Sequence, residues 1–400
     1  MKFFFLHANF PAQFRHLITV LGKNPEHQVI FGTTCQRGQI RGVRKVLYKE
    51  SRKVSPDIHH YVAPLERAVL QGQAVYRIAQ QLENEGFYPD IVYAHSGWGL
   101  GLFIKDIFPK TKYIGYYEWF YHARGTDADF DPSDPIDTNL EACIRIKNAP
   151  ILLDLVSCDR GLSPTYWQRQ QFPPEFHSKL KVLHDGIDTT FFSPNPEMPL
   201  VLPSIGLNLS GVKEIITYVA RGMEPYRGFP QFMEAISLIL QRRPNCHAVI
   251  VGQDRVAYGS TLPNRKTYKQ LMLEQLPLDL SRVHFTGLLP YDQYLRVLQA
   301  SSVHIYLTRP FVLSWSLLEA MSTGCIVIGS DTPPVREVIQ DQENGFLVDF
   351  FSPKTIAELV DEVLDHREKT HKIRLAARET IEQHYNLSRC LNEHLTWLMS

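Results

Sequence analysis

Short runs of apolar, β-branched and aromatic residues alternate along the whole chain with longer segments in which apolar positions recur every three or four residues. That alternation predicts parallel strands joined by helices. In the first half, strands are expected at 3–6, 27–31, 90–94, 112–116 and 179–183, with helices at 11–21, 65–82, 138–149 and 165–171. In the second half, strands are expected at 214–220, 246–251, 282–285, 303–307 and 325–329, with helices at 229–241, 268–276, 291–300 and a segment ending at Gly324. Between the halves, residues 193–204 (SPNPEMPLVLPS) hold four prolines and read as a linker. The expected domains are 1–200, 201–384 and a final helix, 385–400, with Leu391, Leu395 and Leu398 on the face that crosses back to the first domain.

In open α/β sheets, ligands sit at the carboxyl ends of the strands. The residues predicted there are polar. In the first half they are the loop His7–Phe10, with Asn9 and Phe10, then His95 after one strand and Glu118 after the next. The glycines of a dinucleotide fingerprint are absent from that first loop, which disfavours NAD. In the second half, Arg221 and Arg227 bracket GMEPY after the first strand, and Asp254 and Arg255 follow the second. Ser314, Trp315 and Ser316 open the helix that carries Glu319, where unpaired backbone N–H groups favour a phosphate. Arginine suits a diphosphate because its planar fork binds phosphate oxygens in pairs.

Composition narrows the picture. The chain has 400 residues, 44% apolar and 21% charged, with 42 basic and 42 acidic side chains. Length points to two domains, and charge balance gives no global field for nucleic acid. Locally, Arg37, Arg41, Arg44, Lys45, Lys49, Arg52 and Lys53 face a single acid, Glu50. This stretch is either a solvated loop or helix, or a docking patch for an anionic acceptor or a membrane surface. Six scattered cysteines, without CxxC or metal-ligand spacing, read as the reduced thiols of a cytoplasmic protein. Asp127-Ala-Asp129 lies in a turn-rich acidic segment with no strand to fix it and is not taken as a metal-binding pair. No apolar run approaches the roughly 20 residues of a spanning helix.

The stretch LLEAM followed by a small-residue turn, an apolar strand and PPVREV resembles the C-terminal signature of family-4 retaining glycosyltransferases. HANFPAQFRHL, HSGWGLGLFIKDIFP, YEWFYHARGTDADFDP, SPTYWQRQQFP, RGMEPYRGF and VGQDRVAYG extend the resemblance, as a combination, to a bacterial subgroup of polysaccharide and glycolipid assembly. It implies an α/β chain of GT-B architecture, two doubly wound Rossmann-like domains facing each other across a cleft. It implies retaining hexosyl transfer from a nucleotide sugar, with UDP favoured over GDP, to a glycan or lipid-linked acceptor, without cofactor or metal. By position, Glu319 is expected on the ribose, Ser314 to Ser316 on the diphosphate, Arg227 in place of the phosphate-binding lysine and Leu288 by the base. Arg227, Arg221, His95 and Glu118 are the expected catalytic set. Three departures stand out: Phe311 replaces the first acid of the two-glutamate motif, Arg221-Gly222 reverses a Gly-Arg pair, and Glu118 occupies a usual histidine position. Two other readings stay open, a nucleotide-sugar epimerase of the same architecture and a weakly catalytic nucleotide-sugar-binding subunit.

Overall fold

The computed structural model describes residues 1–368 and 370–400. The chain folds into two compact units, unit 1 (residues 1–185 and 390–400) and unit 2 (residues 186–389).

Unit 1 is built on a parallel sheet of seven strands: β1 (Lys2–Leu6), β2 (Gln28–Thr33), β3 (Val43–Leu47), β4 (Ile91–His95), β5 (Lys112–Tyr116), β6 (Arg160–Ser163) and β7 (Leu180–Val182). Their order is β3-β2-β1-β4-β5-β6-β7, so the winding reverses between β1 and β4. β1 explains why such strands read as unbroken apolar runs. Its alternate residues serve opposite faces, Phe3 and Phe5 packing with Phe14, Ile18 and Tyr93, and Phe4 and Leu6 with Val75, Ile78 and Val92. The end of the helix Leu387–Met399 belongs to the first of these cores: Leu398 is buried in it and His394 meets the Tyr93 hydroxyl at 3.2 Å.

Unit 2 opens with a two-stranded antiparallel ribbon, β8 (Val201–Leu202) and β9 (Leu207–Asn208). Its main sheet holds β10 (Glu214–Gly222), β11 (Cys246–Gln253), β12 (Val283–Gly287), β13 (Val303–Tyr306), β14 (Val327–Ser330) and β15 (Phe346–Val348). All pair in parallel in the order β12-β11-β10-β13-β14-β15, and the winding reverses between β10 and β13.

The unit boundaries differ from those expected, 185/186 in place of 200/201 and 389/390 in place of 384/385. The proline-rich stretch is tied down rather than loose: Leu200 and Leu202 within it lie in the core of unit 2, as do Phe192 just before it and Leu209 just after, and the Phe192 carbonyl accepts from Ser322 at 2.6 Å. Proline sets backbone angles here without freeing the segment. Residues 152–156, just before DRGLSP, lie in a second helix, Ala149–Ser157. The basic stretch contains β3, an edge strand, where loop or helix was expected. Several of its charges serve the fold: Arg44 pairs with Glu85 at 2.7 Å, Arg52 with Glu66 at 2.6 Å, and Lys45 Nζ donates to the carbonyls of Gln36, Arg37 and Gly38. Charged side chains on an edge strand also oppose pairing with another chain. No helix among the described residues is long and apolar enough to cross a membrane.

Candidate functional site

In unit 2 the loops leaving β10 and β13 lie at the reversal of the sheet, where ligands of such folds bind. The β10 loop closes through a single 3-10 turn, Pro225–Arg227, and Gly228 at φ 63°. A Cβ at Gly228 would lie 2.4 Å from that of Leu307, so only glycine lets this loop press against the end of β13. The close approach carries Arg227 into the β13 loop. Its guanidinium is buried, and Nη1 donates to Thr308 Oγ1 (2.8 Å), the Val312 carbonyl (3.0 Å) and the Tyr306 hydroxyl (3.4 Å). All three acceptors are neutral, so these hydrogen bonds orient the charge without cancelling it.

The Tyr306 hydroxyl also accepts from the Ser314 amide at 2.9 Å. Ser314 caps the helix Trp315–Ser322, its hydroxyl 3.0 Å from that of Ser316 and 3.4 Å from the Ser316 amide. One phenol therefore ties a buried cation to a helix N-terminus, and both favour an anion. One turn on, Glu319 is buried and accepts from the Tyr294 hydroxyl at 2.7 Å. Burial first, then the neighbouring Glu319 charge, push the Tyr294 phenol well above its usual range, so it remains a donor.

Around Arg227 stand three rings. Phe311 meets Tyr226 at 5.6 Å and Tyr258 at 5.2 Å, edge to face, and the guanidinium lies 5.5 Å from the Tyr258 ring and 5.9 Å from Phe311. The Phe311 position is thus an aromatic wall. Gly222 accounts for the reversed Arg-Gly pair, because a Cβ there would lie 2.5 Å from the Arg255 carbonyl. The arginine stands one residue earlier, exposed, and Arg221 Nη1 donates to the Tyr258 hydroxyl at 3.2 Å.

In unit 1 the reversal lies between β1 and β4, and the residues delivered there are rings and a carboxylate. His95 is buried at the end of β4, stacked on Trp98 and Tyr116 and edge-on to His7. Its Nδ1 lies 2.9 Å from the Ser96 carbonyl, which assigns the proton to Nδ1 and turns Nε2 toward Glu118 Oε2 at 3.5 Å. Beneath this turn, wholly buried Asp154 accepts from Ser96 Oγ (2.7 Å) and the Tyr113 hydroxyl (2.9 Å). Burial pushes the Asp154 carboxyl up to about 6, against the opposing pull of these hydrogen bonds.

Residues 25–192 match the family described as "Glycosyl transferase family 4 group", and residues 206–380 match "Glycosyl transferases group 1". Among solved structures, HepE of Anabaena in complex with UDP and glucose is similar over 100% of this chain and 99% of its own, at a TM-score of 0.68 and 15% identity. The chain belongs to the family-4-type glycosyltransferases of GT-B fold. Sucrose-phosphate synthase of Thermosynechococcus elongatus shares that fold over 99% of this chain and 98% of its own, with a TM-score of 0.71 and 15% identity. Among curated proteins, spore coat protein SA of Bacillus subtilis is 24% identical over 222 residues, 54% of this chain and 57% of that protein. Sulfoquinovosyl transferase SQD2 of Arabidopsis thaliana is 24% identical over 213 residues, 52% of this chain and 37% of that protein. The chain thus spans about half the length, or less, of these curated relatives.

Within this GT-B chain, Arg227, Ser314 and Ser316 come together around Tyr306, with Glu319 on the same helix. Trp315 is half-exposed at the helix start. Asp254 and Arg255 are exposed beyond β11, Asp254 accepting from Thr267 Oγ1 at 3.1 Å. Leu288, 69% exposed, follows β12. His95 and Glu118 meet in unit 1. There the Asn9 amide donates to His7 Nδ1 at 2.9 Å, while the Phe10 ring packs on Phe31 at 5.0 Å and under the Lys45 ammonium. Among the described residues no group of three or more His, Cys, Asp or Glu has an arrangement that could hold a metal ion. The Asp129 carboxylate of the DxD segment accepts from the Gly125 amide at 2.9 and 3.0 Å. Tyr306, Tyr294, Asp154 and Glu224 carry no motif of their own and were not picked out from sequence. Only Glu224 left a trace there, as an acid set between two arginines.

Proposed function

We propose that the chain is a retaining hexosyltransferase that uses a nucleotide-diphosphate sugar, UDP-linked in preference to GDP-linked, and works without a metal ion. The observation that carries this reading is the join, through Tyr306, of buried Arg227 to the N-cap at Ser314. Cleaving the sugar–phosphate bond builds negative charge on the leaving diphosphate, which fixed positive groups in a water-poor site stabilise. Arg227, the helix N-terminus and Arg221 supply that charge. The UDP and UDP-glucose complexes of HepE, alike in fold, support the choice of nucleotide. In this reading Glu319 takes the ribose and Leu288 lies by the base. Unit 1 holds the acceptor, a glycan or lipid-linked sugar of polysaccharide or glycolipid synthesis, with His95 and Glu118 at its edge. The setting is the cytoplasm, with the basic stretch 37–53 as a point of peripheral membrane contact.

The test is release of nucleoside diphosphate from a panel of UDP- and GDP-sugars in the presence of an acceptor extract and EDTA. Turnover in EDTA is the expected result. Strict dependence on Mn²⁺ or Mg²⁺ would refute the metal-free mechanism, and conversion of one nucleotide sugar into another without acceptor would establish the epimerase instead.

A further inference from the structure

Glu224 is 0% exposed, yet it is an acid in the middle of a cationic loop. Its Oε2 accepts from the amides of Tyr258, at 2.9 Å, and Ala257. Both belong to the segment after β11, so one carboxylate clips that segment onto the loop after β10. The fit leaves no slack: a Cβ at Gly222 would lie 2.9 Å from this oxygen as well as 2.5 Å from the Arg255 carbonyl. Burial raises the Glu224 carboxyl, while the two amides and the charges of Arg227 and Arg255 favour its ionised form. Glu224 Oε1 is buried without a hydrogen-bond partner. A carboxylate in that condition is costly in a loop that needs only to fold.

What the clip holds in place is Tyr258. Its hydroxyl receives Arg221, and its ring packs on Phe311 and faces the Arg227 guanidinium. Tyr258 therefore touches both arginines of the site. Without it, Arg221 is an exposed side chain on a strand end, displaced by one residue because Gly222 has to be glycine.

We infer that Glu224 is a positioning residue: by fixing Tyr258 it aligns Arg221 as the second cation of the diphosphate site, opposite Arg227. This inference rests on the nucleotide-sugar reading above, and it assigns Arg221 to the outer, β-phosphate. Two phosphates ask for two cations at a set spacing, and a fixed geometry is worth more than a free side chain that must be ordered on binding.

Calorimetric titration with UDP and UMP, and with GDP and GMP, reads the second phosphate directly. Glu224→Ala is expected to lower the diphosphate-to-monophosphate affinity ratio about tenfold while changing monophosphate affinity less than threefold. Tyr258→Phe keeps both amide bonds to Glu224 but loses the hydroxyl, and is expected to lower the same ratio severalfold. The double variant should show no further loss than Glu224→Ala alone. Glu224→Gln keeps a carbonyl for both amides and should restore the wild-type ratio. Equal losses for mono- and diphosphates would make Glu224 merely structural and overturn the inference, as would an unchanged ratio in Tyr258→Phe, which stands even if Glu224→Ala does not fold. A Glu224→Gln variant as impaired as Glu224→Ala would overturn it too. Wild-type protein that binds no nucleotide sinks the transferase reading, whereas wild type that binds mono- and diphosphates alike sinks only the second-cation assignment.

Discussion

The two units share a plan, a parallel sheet that reverses its winding once and gathers side chains at that reversal, yet the two reversals are chemically unlike. In unit 2 a buried guanidinium is held by neutral oxygens beside a helix N-terminus, an arrangement that leaves positive charge for an anion. In unit 1 an imidazole and a carboxylate stand 3.5 Å apart among stacked rings, so the edge offers hydrogen-bonding groups where unit 2 offers a guanidinium. The same backbone topology thus carries a cationic edge in one unit and an aromatic, hydrogen-bonding edge in the other. The choice between them lies in a few side chains at strand ends.

If this contrast is right, the largest effect falls on turnover in unit 2. Arg227→Ala should reduce kcat by ~10²-fold or more, the scale found when one preorganised electrostatic donor is removed. Steady-state kinetics with saturating donor checks it, and an unchanged kcat would move the role to Arg221.

Acid stability separates the units next. Burial depresses the His184 and His394 imidazoles of unit 1 to about 4 and His304 of unit 2 to about 3, from the usual 6.5. A depressed folded value means stability that is complete above 6.5 and is lost as pH falls through that value toward 4. Between pH 7.5 and 6 each histidine should cost on the order of 1 kcal/mol by proton linkage. Asp154, raised to about 6, has the opposite sign: the stability it contributes below the unfolded carboxylate value is lost as pH rises to about 6 and beyond. On acidification to pH 6 it therefore offsets a smaller part of that loss in unit 1. Urea midpoints across this range should be flat above pH 7 and fall below it; midpoints that rise on acidification would contradict the burial of these rings.

A smaller effect is expected at the ribose. Glu319→Gln should weaken donor affinity about tenfold with little change in kcat, because a contact made equally in ground and transition states shows in KM. A matching loss in kcat would place Glu319 in the chemistry instead. The smallest belongs to the unit 1 edge, where His95→Asn should change kcat/KM for the acceptor severalfold and leave UDP affinity at the wild-type value. A parallel fall in UDP affinity would erase the distinction between the two edges.

The apolar runs determined ten of the fifteen strands among the described residues, because a strand buried on both faces tolerates little but Val, Ile, Leu and Phe, and β1 is the plain case; the short strands β6, β8, β9 and β15 escaped them. The runs likewise announced Arg227, Ser314 and Glu319, since strand ends and helix starts are local features that a motif can carry. The extent of the proline-rich segment was not legible, because whether Phe192 and Leu200 pack is decided by the core they meet. Nor was the strand at 43–47, whose adjacent charges Arg44 and Lys45 suit an edge and which only the neighbouring β2 makes a strand. The partners of the site residues were the least visible. Tyr306, Tyr294 and Tyr258 look in sequence like ordinary aromatics, and what they donate to or accept from is set by residues 8, 25 and 34 to 37 positions away. Motifs name the charges; only the folded backbone, through approaches as close as those at Gly222 and Gly228, decides where each charge points and what holds it there.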